Sequence, residues 1–82
     1  MQSFNPVLDV RGLRRDAAID EVEKYLDKAI LHDFNELKII HGYGDGILKE
    51  AIRTTLKKYS FIKNIHSEHA DHGGDGVTII EL

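Results

Sequence analysis

The chain switches between two hydrophobic periods, and the switches mark its elements. VLDV at 7–10 is a short apolar run rich in β-formers that Gly12 stops, which predicts a strand. Asp16 then offers a helix N-cap, and Asp20 and Glu21 sit near the positive end of the helix that follows. Ile19, Val22, Leu26, Ala29 and Ile30 recur at three- and four-residue spacing and form one apolar stripe, which fades between His32 and Asn35. LKII at 37–40 is a second strand-type run, closed by His41-Gly42. Strand, helix, strand in so short a span is a βαβ unit with parallel strands and a right-handed crossover.

The helical period returns with Leu48, Ala51, Ile52, Thr55, Leu56 and Tyr59. A third strand is expected from Phe61 to Glu68, a loop at HADHGGDG, and a final strand in GVTIIEL, antiparallel to its predecessor if the loop is a hairpin. The order is βαβαββ. The expected class is α+β, a two-layer α/β sandwich of one mixed four-stranded sheet and two helices.

With 82 residues the chain fits one domain. Residues 1–6 read as a linker or trimmed edge and 7–82 as the domain, expected to be cut from a larger protein. At this size folding buries roughly 60–65% of the unfolded chain's surface, so one modest core is available. The absence of cysteine removes disulfides, thiolate metal sites and a cysteine nucleophile, and fits a reducing, cytoplasmic setting. No apolar run approaches the ~18 residues of a membrane span, so no membrane partner is expected.

Charge adds more than its total suggests. The net charge of −3 argues against a nucleic-acid binder, yet Lys49, Arg53, Lys57, Lys58 and Lys63 stand against Glu50 alone in residues 47–63. Lys49, Arg53 and Lys57 are four apart and share one helix face. Residues 64–82 carry Glu68, Asp71, Asp75 and Glu81 with no Lys or Arg.

Several short motifs are candidates for chemistry. HGYGDG, 41–46, places Gly42, Gly44 and Gly46 where a strand ends and a helix begins. It is either a tight turn or an anion site, because glycines let a ligand approach the backbone and the first amides of a helix lack intrahelical partners. Asp45 inside it either caps the helix or faces an incoming anion. His41 is either a general acid or base or a partly buried histidine closing the sheet. In LDVRG, Asp9 and Arg11 share one strand face opposite Leu8 and Val10. They form either a structural salt bridge or a carboxylate beside a phosphate-binding guanidinium, with Arg14 and Arg15 adding positive charge on the same edge. GGDGVT, with Gly73, Gly74 and Gly76, turns the last hairpin or packs its backbone against a neighbour. His66, His69 and His72 fit a solvated loop better than a metal site, because strand residues three apart point to opposite faces. No G-x-S-x-G-type elbow surrounds any serine or threonine, which argues against acyl transfer.

Taken in order, LDVRG, IIHGYGDGIL and GGDGVTIIEL resemble the Smr (small MutS-related) domain, in particular the version at the C-terminus of the second bacterial MutS paralogue. The likeness covers roughly 7–82. It implies a fold like the C-terminal domain of bacterial translation initiation factor three. It also implies nucleic-acid binding and, in several members, nicking endonuclease activity with little sequence preference. The first motif supplies Asp9 and Arg11, the second His41, Gly42, Gly44 and Gly46, and the third Gly73, Gly74 and Gly76. Many stand-alone Smr proteins have histidine where this chain has Arg11; arginine is usual in the MutS-linked branch.

From this follow a set of expectations. Asp9, Arg11 and His41 are the catalytic candidates. Arg14, Arg15, Lys49, Arg53, Lys57 and the glycines of both loops are the candidates for phosphate contact. A divalent cation such as Mg²⁺ or Mn²⁺, with Asp9 as its candidate ligand, would serve cleavage without being tightly bound. The expected partners are branched or double-stranded DNA, or ribosomal RNA on stalled ribosomes, and the domains of a parent MutS-like ATPase. The alternative is a non-catalytic module that targets that ATPase, and the isolated domain is expected to be a monomer.

Overall fold

The computed structural model describes residues 4–44 and 46–82. The question of where Asp45 points lies outside the described residues. The elements are β1 (Val7–Asp9), α1 (Arg15–Ala29), β2 (Glu36–Ile40), α2 (Ile47–Leu56), β3 (Asn64–Ser67) and β4 (Val77–Glu81). Two single 3-10 turns, Ala70–His72 and Gly74–Gly76, join the last two strands. The sheet order is β1-β2-β4-β3, with β1 parallel to β2 and β4 antiparallel to both of its neighbours.

The βαβαββ order and the mixed four-stranded sheet are as the hydrophobic pattern predicts. The insertion of β4 between β2 and β3 explains why its sequence is so apolar: Val77, Thr78, Ile79 and Ile80 are all buried. Ile80 joins Leu37, Ile39, Val10, Val22, Leu26, Ile52 and Leu56 in the core beneath the helices. Each such aliphatic side chain contributes about 1.5–3 kcal/mol by leaving water. Alternation puts Val77 and Ile79 on the opposite face. There Lys38, the register partner of Ile79, reaches Glu68 at 2.6 Å.

Local differences have local causes. Arg14, not Asp16, is the N-cap residue of α1, and its carbonyl accepts the Ala18 amide at 2.8 Å; Asp16 sits in the first turn, where its charge still faces the positive helix end. Ile30 lies one residue past the end of the helix and is 59% exposed. Tyr25 takes its place in the buried stripe, its hydroxyl donating to the Asn5 carbonyl at 2.8 Å and its ring edge-on to Phe4 at 4.9 Å. Phe4, read from the sequence as linker, therefore packs against the core, and the exposed Asn5 supplies the carbonyl that the Tyr25 hydroxyl bonds. The third strand is shorter than expected because residues 59–63 turn, with the Ile62 amide bonded to the Tyr59 carbonyl.

Candidate functional site at the carboxyl ends of the parallel strands

Parallel pairing of Asp9 with Ile40 brings the carboxyl ends of β1 and β2 side by side. The two motifs that follow them, Asp9-Val10-Arg11 and His41-Gly42, therefore meet although some thirty residues separate them. Asp9 accepts the Arg11 Nε at 3.0 Å and Nη2 at 2.6 Å, and also the Arg11 backbone amide at 3.0 Å. The hydrogen bonds from the Arg11 side chain and amide hold the Asp9 carboxyl down at about 2. Both side chains remain exposed. A guanidinium has five N–H donors; Asp9 takes those of Nε and one of Nη2, which leaves Nη1 and the second Nη2 hydrogen for another acceptor.

Gly42 supports this fork. Its φ is +81°, and a Cβ there would sit 3.4 Å from Arg11 Cγ. Glycine thus lets the chain turn and lets the Arg11 stem lie against it. The Gly42 amide donates to the Gly76 carbonyl at 2.9 Å, and the His41 amide donates to the same oxygen at 3.0 Å. The first glycine loop is in this way tied to the third motif, and the Gly42 amide is not available to a ligand. Among the described residues, the Tyr43 and Gly44 amides have no partner within the chain. A cleft of about 340 Å³ opens here, lined by Arg11, His41, Gly42, Tyr43, Gly44 and Ile47. A larger groove of about 610 Å³ runs between the start of α1 and the length of α2, but its rim mixes Arg15 and Lys58 with Asp16 and Glu50, so it has no single sign to offer.

His41 closes the floor of the site and is 5% exposed. Its Nδ1 lies 3.0 Å from the Gly42 carbonyl, and its Nε2 lies 2.8 Å from Thr78 Oγ1. A carbonyl only accepts, so Nδ1 carries the proton and Nε2 accepts from the threonine hydroxyl. Burial pushes the His41 pKa down, the Gly42 bond opposes this, and the Arg53 and Lys49 charges push it further down. The ring is therefore neutral at pH 7 with both nitrogens engaged.

Thr78 Oγ1 in turn accepts from Arg53 Nε at 3.2 Å, and Arg53 Nη2 donates to Ser67 Oγ at 2.9 Å. Ser67 donates to Asp75 Oδ1 at 3.0 Å, and Lys49 Nζ stands 3.5 Å from that oxygen. The bond from Ser67, followed by the Lys49 charge, lowers the Asp75 pKa. A continuous polar relay thus runs from His41 to Lys49 beneath the site. Sequence reasoning missed Thr78, Ser67 and Asp75. The available signal was Thr78 itself, a hydroxyl within the buried run 77–80 of β4, at a position alternating with the core residue Ile80.

The structure divides the basic helix face. Lys49 and Arg53 turn toward the sheet and enter the relay, whereas Lys57 is exposed. Arg14 and Arg15 lie exposed at the start of α1, with Arg15 Nε 3.8 Å from Asp16. Gly73 has φ +112° and a carbonyl that accepts the Tyr43 hydroxyl at 2.7 Å; a Cβ at Gly76 would sit 3.1 Å from Tyr43 Cε2. His66 Nε2 faces Glu81 at 3.6 Å, away from the adjacent rings of His69 and His72. No group of three metal-binding side chains occurs among the described residues. Asp9, the candidate cation ligand, has both carboxylate oxygens on Arg11. Among the described residues, the donors do not fit a metal site of their own.

A family model described as the Smr domain matches residues 8–82, a span holding every motif of the site. The chain belongs to the Smr family. An Endonuclease MutS2 of Caldanaerobacter subterraneus subsp. tengcongensis is 46% identical over 81 residues, which is 99% of this Smr domain and 10% of that protein. An Endonuclease MutS2 of Geobacillus sp. is 47% identical over 75 residues, covering 92% of the chain and 10% of the relative. The chain spans about a tenth of the length of the curated relatives it matches. The crystal structure of the Smr domain of Thermus thermophilus MutS2 superposes with a TM-score of 0.88 at 33% identity, covering 93% of this chain and 95% of that one. YdaL, a stand-alone small MutS-related protein from Escherichia coli, shares the fold, with a TM-score of 0.88 at 18% identity over 94% of this chain and 63% of its own. No helix among the described residues is long and apolar enough to cross a membrane.

Proposed function

We propose that this Smr domain binds nucleic acid through its phosphodiester backbone and nicks it with little sequence preference. The observation that carries the reading is the Arg11 fork, set by Asp9 and Gly42 beside the open amides of the glycine loop. The uncommitted N–H groups of Arg11 hold the non-bridging oxygens of one phosphate. The Tyr43 and Gly44 amides take a neighbouring oxygen. As the oxygen of water bonds to phosphorus, the P–O ester bond breaks and a proton from that water ends on the departing oxygen; negative charge grows on the non-bridging oxygens, and donors already in place stabilise it without reorganising. Exposed Arg14, Arg15 and Lys57 add sequence-independent, salt-sensitive contacts along the backbone. The name Endonuclease MutS2 borne by the relatives supports cleavage.

Asp9 and His41 take positioning roles. A carboxyl held at about 2 is too weak a base to deprotonate water near pH 7, so Asp9 orients the guanidinium. His41, neutral and bonded on both sides, fixes the Gly42 carbonyl and thereby the loop. No step is assigned to a divalent cation, since the described donors do not assemble a site for one. In a longer parent chain, the domain would serve a MutS-like ATPase acting in recombination suppression or repair.

The test is supercoiled plasmid, with and without Mg²⁺ or Mn²⁺. Wild type should convert it to the open circular form, and the combined Asp9→Ala, Arg11→Ala, His41→Ala variant should not; equal rates end the catalytic reading. A second reading, a binding module that delivers the parent ATPase to branched DNA or to ribosomal RNA on stalled ribosomes, is favoured by one observation. Neither titratable side chain beside Arg11 is free to move a proton. Tight, salt-steep binding without cleavage would select it.

A further inference from the structure

We propose that Tyr43 is a stacking platform for an unpaired nucleobase, so that the site takes single-stranded or splayed-out nucleotides in preference to paired ones. This deepens the proposed function and rests on Arg11 as the phosphate contact. Tyr43 is 66% exposed in the middle of the glycine loop. The other two tyrosines have ring partners, Phe4 for Tyr25 and Phe61 for Tyr59; among the described residues, Tyr43 has none.

Its exposure is not mobility. The hydroxyl donates to the Gly73 carbonyl at 2.7 Å, and the Cδ2–Cε2 side of the ring lies against Gly76, where a Cβ would come within 3.1 and 3.2 Å. A Cβ at Gly74 would likewise meet the hydroxyl at 3.0 Å. Two glycine motifs thus hold one aromatic ring still in solvent, so a ligand that stacks on it has little side-chain entropy to remove. The same cleft contains Arg11 and Ile47, which is 54% exposed. Its volume of about 340 Å³ falls at the lower end of the roughly 300–1,000 Å³ of small-ligand sites. A flat apolar surface next to a phosphate fork matches the two halves of one nucleotide. Bases in a duplex are stacked on both faces, so this surface is open only to a base outside a helix.

The experiment compares a short oligothymidylate with an abasic oligomer of the same length and charge, by fluorescence anisotropy at low salt. Wild type should bind the base-bearing strand more tightly. Tyr43→Ala should weaken that strand alone, by about 5- to 150-fold, the range one base–aromatic stack gives. Tyr43→Phe keeps the ring and should retain most of the preference. The chain has no tryptophan, so Tyr43→Trp supplies a single reporter whose emission should be quenched by the thymidylate and not by the abasic strand. Equal wild-type affinity for the two strands, an equal loss on both in Tyr43→Ala, or absent quenching overturns the stacking proposal and leaves the phosphate site intact. Arg11→Ala should weaken both strands alike. If it changes neither, the phosphate reading fails, and the link from Tyr43 to that site fails with it.

Discussion

Replacing Thr78 with valine tests the relay beneath the site at nearly constant volume. The threonine is fully buried, and its hydroxyl serves two groups at once: it donates to His41 Nε2 and accepts from Arg53 Nε. Thr78→Val leaves both without a partner. A buried polar group so orphaned costs about 1–3 kcal/mol, and the added methyl returns about 0.8 kcal/mol. With two groups orphaned, the net loss should be about 1–5 kcal/mol, a large share of the roughly 5–15 kcal/mol that holds a domain together. For a chain of this size each kcal/mol lowers the melting temperature by about 4–8 °C. Thr78→Ser is the control, since it keeps the hydroxyl and removes a methyl, for a loss of about 1 kcal/mol. Thermal and urea melts of the three proteins, followed by circular dichroism, give the comparison. If Thr78→Val proves at least as stable as the wild type, the relay does not hold the fold and is only a geometric coincidence.

Three further outcomes are expected. Gly42→Ala should destabilise the domain by about 1–2 kcal/mol, because φ +81° is a left-handed conformation; its Cβ would also touch the Arg11 stem at 3.4 Å, so nucleic-acid affinity should fall more than in Gly44→Ala, where a Cβ meets nothing within 4 Å. His41 has a folded pKa below its ordinary value of about 6.5, so the unfolded chain binds the extra proton as pH falls. Urea midpoints should therefore be highest above about pH 6.5 and decline below it, and His41→Gln should flatten that decline. The groups facing the ring are Arg53, Lys49 and Asp75, and the depressed Asp75 carboxyl titrates well below this window. Finally, Arg11→Lys keeps the charge and loses the fork, so binding should weaken with an unchanged salt slope, whereas Arg11→Ala should lower the slope of log K against log salt by about 1.

Much of the fold was legible because period carries it. Leu37 and Ile39 in β2, and Ile52 and Leu56 in α2, are buried where the spacing placed them. Ile30 keeps helical backbone angles and its amide bond to the Leu26 carbonyl, but it stands at the very end of the stripe and is 59% exposed, so spacing alone did not place it. Asp9 and Arg11 could be placed on one face by alternation alone, and they do pair. The stripe of Lys49, Arg53 and Lys57 was legible as a face but not as a relay, since its partners Asp75, Ser67 and Thr78 lie on elements 14 to 26 residues away in the chain.

The sequence by itself determined the element order, the core face of each element and the positions at which glycine was needed. These depend on spacing and backbone conformation, which are local. Only the tertiary structure decided that β4 lies between β2 and β3, and that choice set the chemistry. It carried Gly76 under Gly42, Thr78 under His41 and Gly73 to the Tyr43 hydroxyl. Hydrogen bonds between groups far apart in the chain have no sequence period, so the neutral state of His41 and the fixed ring of Tyr43 come into being only when the last strand pairs.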